Sequence, residues 1–103
     1  MDKKGVIKKL KKYADLVNSK FSPKKIILYG SWARGNKKKE SDIDVAVIVD
    51  KIRGDFLSSE TILYKLRREI DDRIEPVLIE GKEDKSGFLE DILEYGIDIL
   101  SGK

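Results

Sequence analysis

The sequence predicts a small α/β domain, a mixed β-sheet with flanking helices. Three observations predict it. Two apolar runs, "KIILY" at 25–29 and "DIDVAVIV" at 42–49, have the length and β-branched content of strands. Stretches with apolar residues at helical spacing alternate with the strand-like runs. The chain has 103 residues, which suits a single domain over 1–103 with one modest core.

Residues 3–19 place Val6, Leu10, Tyr13 and Val17 on one helical stripe, widened by Ile7 and Ala14. Ser22-Pro23 ends that helix. Lys25 to Tyr29 reads as a short strand stopping at Gly30. Ser31 to Arg34 can form one helical turn with Ser31 as its N-cap. Gly35 to Glu40 is a polar loop. Asp42 to Val49 reads as a second strand, apolar towards both faces, as a central strand is. Residues 58–71 predict a helix begun by Ser58 or Ser59, with Ile62, Leu66 and Ile70 on one face and Leu63 beside them. Arg73 to Ile79 predicts a third strand, in which Pro76 favours an edge or a bulge. Ser86 to Tyr95 predicts a further helix, capped by Ser86 and stopped by Gly96. Ile97 to Leu100 predicts a short closing strand. The expected order is α-β-α-β-α-β-α-β.

Composition excludes several chemistries. There is no Cys and no His, which removes thiol nucleophiles, disulfides, imidazole bases and the usual zinc ligands. A bound metal would have to be held by oxygen, which points to Mg²⁺ or Mn²⁺. No apolar run approaches membrane-spanning length. Lysines interrupt the apolar residues at the N-terminus, so it does not read as a signal peptide, and a cytoplasmic location is expected. Lys3, Lys4, Lys8, Lys9, Lys11, Lys12, Lys20, Lys24 and Lys25 crowd the first quarter. Such a run attracts phosphate or an acidic surface, and its simpler reading is a solvated helix face.

The segment "LYGSWARGNKKKESDID" at 28–44 concentrates the chemistry. In a strand, Asp42 and Asp44 point to one face with Cα atoms roughly 6–7 Å apart. Two carboxylates so close repel, and a divalent cation relieves the repulsion. Gly30 and Ser31 follow a strand and open a helical turn, where backbone N–H groups can cradle a phosphate and glycine permits its close approach. Either feature alone is common; together they set a phosphate cradle against a metal site. Glu75, in "RIEPVLIE", would complete the acidic set if the third strand lies beside the second. It is equally readable as an exposed edge-strand charge. Asp71, Asp72 and Glu80 are less suitable, at a helix end and a strand exit. Trp32 is open to two readings, stacking on a base or packing inside. Lys37, Lys38 and Lys39 read as a soluble loop tip or an attractor of triphosphate.

The string Gly30-Ser31-Trp32-Ala33-Arg34-Gly35, followed by Ser41-Asp42-Ile43-Asp44-Val45, resembles the signature of the polymerase-β-like nucleotidyltransferases, and most closely their minimal, MNT-type members. The resemblance implies a palm-like nucleotidyltransferase fold. It implies that Gly30 and Ser31 hold the β- and γ-phosphates of a nucleoside triphosphate, with Arg34 chiefly ordering the loop. It further implies that Asp42 and Asp44 bind two Mg²⁺ ions, and that Glu75 is the third acidic residue. The implied reaction is transfer of AMP from ATP to a hydroxyl, with release of pyrophosphate. MNT domains of this kind are commonly antitoxins, and the resemblance implies a HEPN-type RNase toxin as partner, modified on a tyrosine. Two other readings remain: an inactive member that neutralises its partner by binding, and an RNA-binding module using the N-terminal lysines. The chain lacks the aromatic surface of a single-strand platform, so direct nucleic-acid binding is not expected.

Overall fold

The computed structural model describes residues 3–34, 42–81 and 87–100. Helix α1 spans Lys3–Phe21, and its predicted stripe of Val6, Leu10, Tyr13 and Val17 is buried together with Ala14. Strand β1, Lys25–Tyr29, leads into the single turn α2, Ser31–Arg34. Strand β2 spans Ile43–Val49 and helix α3 spans Phe56–Leu66, continued by a 3-10 turn, Arg67–Glu69. Strand β3, Ile74–Glu80, helix α4, Phe88–Tyr95, and strand β4, Ile97–Asp98, follow. The predicted alternation holds throughout.

The four strands form one sheet in the order β3-β2-β1-β4. Strand β1 runs antiparallel to β2 and to β4, whereas β2 and β3 are parallel. Parallel neighbours need a crossover, and α3 supplies it. Six of the seven residues of β2, all but Asp44, are buried, as expected of a central strand covered on both faces. Strand β3 lies at the edge, where Pro76 is tolerated because the outer side of the strand needs no ladder donor.

Side-chain alternation divides the core. Val6, Leu10, Val17, Leu28, Val45, Val47 and Leu63 pack between one sheet face and α1 and α3. Ile27, Ala46, Ile48 and Ile79 pack on the other face against Ile92 of α4. The Tyr13 hydroxyl donates to the Leu63 carbonyl at 2.8 Å and ties α1 to α3.

Two expectations need correction. The N-cap of α3 is Asp55 rather than Ser58 or Ser59: its extended backbone (φ −89°, ψ 131°) lets its carboxylate accept from the Ser58 N–H. An earlier start turns Ser59 and Leu63 inward and leaves Ile62 exposed. Helix α4 begins at Phe88 after Gly87; the predicted cap, Ser86, lies outside the described residues.

Candidate active site at the sheet edge

Register builds the site. Tyr29, last of β1, stands opposite Asp44, and Asp44 stands opposite Glu75 at the start of β3. Three strand ends thus converge in one row. A shift of one residue in either pairing would send one carboxylate to the opposite face. The antiparallel β1–β2 pairing also returns Gly30 to the Asp44 side chain. Gly30 has φ +74°, and a Cβ there would collide with the Asp44 carboxylate. Glycine is therefore required twice, for the left-handed backbone and for the close approach.

Asp42 is exposed just ahead of β2, and Asp44 is half-buried. Burial, then the Asp42 and Glu75 charges, push the Asp44 carboxyl above the usual carboxylate range. Burial chiefly, with Asp44, Tyr64 and Glu75 adding, pushes the Tyr29 phenol up to about 12. Asp42, Asp44 and Glu75 concentrate negative charge here, with Arg67 beside Glu75. Hard oxygen donors around such a charge excess suit a divalent cation, and Asp42 with Asp44 fit that role.

Glu75 is differently engaged. Its Oε1 accepts from Arg67 at 3.3 Å, and its Oε2 accepts from the Tyr64 hydroxyl at 3.3 Å. Arg67 also donates to the Ile74 carbonyl at 2.9 Å and lies 4.8 Å from the Tyr64 ring centre. Among the described residues, no group of three acidic side chains is gathered to hold a metal ion. Glu75 shares the row with Asp44 but is turned towards α3.

The other acids are occupied elsewhere. Asp71 accepts from Lys9 at 2.9 Å and Arg73 at 2.8 Å, and those hydrogen bonds hold its carboxyl well below the usual range. Glu80 is at the far end of β3 and accepts from the Ile52 N–H at 3.1 Å. Asp72 is exposed in the preceding turn. Trp32 is buried in the main core at 1% exposure, so it packs α2 against the sheet and does not offer a face to a base. The backbone of Ser31 and Arg34 lies in α2. Their side chains, and Gly35, Lys37, Lys38, Lys39 and Ser41, are outside what the structure describes.

Sequence reasoning missed Tyr29, Tyr64 and Arg67. Tyr29 could have been found as the strand residue next to Gly30 with the same facing as Asp44. It packs edge-on against Phe88, ring centres 5.5 Å apart. Tyr64 and Arg67 are three apart on one helical surface, but nothing local in the sequence joins them to Glu75.

The chain resembles known proteins in sequence and fold. Residues 8–103 match the sequence model of the family described as "Polymerase beta, Nucleotidyltransferase". A protein of Methanocaldococcus jannaschii named "putative protein adenylyltransferase" is 30% identical over 80 residues, covering 73% of this chain and 77% of its own length. A second protein of that organism with the same name is 44% identical over 45 residues, 42% of this chain and 45% of that relative. A crystal structure described as a "putative nucleotidyltransferase" from Sulfolobus solfataricus superposes with a TM-score of 0.64 at 19% identity, covering 89% of this chain and 77% of that one. That likeness concerns the fold.

Proposed function

This chain belongs to the polymerase β nucleotidyltransferase family, and from that premise we propose that it transfers AMP from ATP to a tyrosine hydroxyl of a partner protein, a HEPN-type RNase toxin, and so acts as an antitoxin. The observation that carries the reading is the row Tyr29–Asp44–Glu75 with Gly30 folded against Asp44. It sets a glycine turn and two carboxylates side by side, which a triphosphate with its counter-cation needs and an ordinary hairpin does not. The names of the Methanocaldococcus relatives support a protein as the acceptor.

Each residue then has a task. Gly30 turns the chain back against Asp44, and Ser31 with Arg34 sits in the turn that follows, whose backbone N–H groups would receive phosphate oxygens. Asp42 and Asp44 would hold Mg²⁺ or Mn²⁺. A bound cation supplies charge neutralisation at the triphosphate and lowers the cost of bringing an oxygen nucleophile to it. The acceptor oxygen forms a bond to the α-phosphorus, the bond from that phosphorus to the α–β bridging oxygen breaks, and pyrophosphate leaves with the electron pair. The hydroxyl proton passes to a carboxylate, and Glu75, once free of Arg67, is placed one strand over to accept it.

The test uses α-labelled ATP, Mg²⁺ and the partner protein, beside the Asp42→Asn/Asp44→Asn double variant. Label on the partner, lost in the variant and lost when the acceptor tyrosine is changed to Phe, is the expected result. A second reading is favoured by one observation: both Glu75 oxygens are already taken. A member inactive in transfer would neutralise its partner by binding. Tight complex formation and neutralisation without label, unchanged in the double variant, would support that reading over transfer.

A further inference from the structure

We propose that Arg67 is the positioning residue for Glu75: together with Tyr64 it draws the third carboxylate over the outer edge of β3 towards α3, and a divalent cation at Asp42 and Asp44 would recruit Glu75 by displacing that hold. The inference rests on reading Asp42, Asp44 and Glu75 as one acidic site.

Two facts stand together. Register puts Glu75 directly beside Asp44, yet the three carboxylates are not gathered as a cation site. The hold on Glu75 accounts for the second in spite of the first. Each of its oxygens has its own donor, Arg67 and Tyr64. Edge position makes this possible, because the outer flank of β3 is open to α3 and the 3-10 turn.

The hold is firm at its base and soft at its tip. Tyr13 anchors α3 through the Leu63 carbonyl at 2.8 Å, one residue before Tyr64. Arg67 is anchored at 2.9 Å to the Ile74 carbonyl, one residue before Glu75. Its bond to Glu75 is longer, at 3.3 Å, and that pair is 25% and 39% exposed. A pair in that setting is worth little net energy and exchanges readily with a competing charge. The Asp71 carboxylate, 11% exposed and doubly paired, shows the contrasting permanent arrangement.

The test is Mn²⁺ binding to the full chain without nucleotide, with free Mn²⁺ read by electron paramagnetic resonance. Wild type, Arg67→Met, Glu75→Gln and the double variant form a cycle. Arg67→Met is expected to lower the Kd about two- to fivefold, the range a partly exposed pair supports. In the Glu75→Gln background most of that gain should vanish, because mere removal of a repelling cation would act in both. Tyr64→Phe removes one hydrogen bond and no charge, and should tighten binding less but in the same direction. It keeps the idea testable if Arg67→Met unfolds. Unchanged or weaker binding in these variants, an equal gain in the Glu75→Gln background, or no Mn²⁺ binding by any variant overturns the proposal. Label transfer, run in parallel, separates this from the proposed function. Transfer with no Mn²⁺ change in Arg67→Met sinks only the hold. Glu75-dependent tightening without transfer sinks only the transferase reading.

Discussion

Asp44→Asn should stabilise the metal-free protein while abolishing its activity. Among the described residues the neighbours that act on the Asp44 carboxyl are the like charges of Asp42 and Glu75. The substitution removes a half-buried charge that faces them. Two unit charges roughly 6–7 Å apart repel by about 0.6–2.5 kcal/mol for effective dielectric constants of about 80 down to 20. Asp42 is exposed and Glu75 is paired with Arg67, both of which favour the lower figure, and a net gain of about 1 kcal/mol is expected. For a domain of this size that is about 4–8 °C in Tm. The pH dependence has a definite sign. The Asp44 carboxyl is raised in the folded state, so its destabilising effect is absent below the unfolded value of about 3.9 and grows as pH rises through the folded one. Thermal unfolding in chelator at pH 7 should therefore show Asp44→Asn melting higher, and the gap should close towards pH 4. Added Mn²⁺ should reverse the order, because it stabilises only the protein that binds it. A lower Tm for Asp44→Asn in chelator at pH 7 would refute the account of the site as concentrated negative charge.

Gly30→Ala meets both a positive φ and the Asp44 carboxylate; a Tm loss of several degrees, from about 1–3 kcal/mol of strain, should accompany loss of ATP binding by calorimetry. Asp71→Asn breaks the Lys9 and Arg73 contacts and should cost about 1–2 kcal/mol at pH 7 in urea unfolding. Because the Asp71 carboxyl is depressed in the fold, the wild-type advantage should be full at neutral pH and fade as pH falls below about 5. Tyr13→Phe leaves packing intact but removes the buried bond to Leu63, and should cost about 1 kcal/mol in the same assay.

What the sequence made legible was local. Helical stripes, the apolar β2 run and the glycine after β1 are each written within a few residues, and the structure forms each of them. Asp42 and Asp44 were readable because a strand period places them on one face wherever the strand goes. The start of α3 was misplaced because Ser58 and Ser59 are good caps by type, whereas the residue with the extended backbone is Asp55. Trp32 was ambiguous because its burial depends on how α2 packs against the sheet and α1, a tertiary arrangement not written in the local sequence.

The least legible feature is the hold on Glu75. Glu75 could be proposed as a third carboxylate from position alone, but its partners come from α3 and the 3-10 turn, through a crossover the sequence does not encode locally. Strand register brings carboxylates together, and helix packing decides whether they act together. In this chain the two disagree at one residue. Among the described residues Asp44 has like charges for neighbours, while Glu75, beside it in register, has two donors. A site arranged in that way has unequal demand for positive charge across one strand pair. A cation held by Asp42 and Asp44 would meet that demand at Asp44 and would have to compete with Arg67 for Glu75.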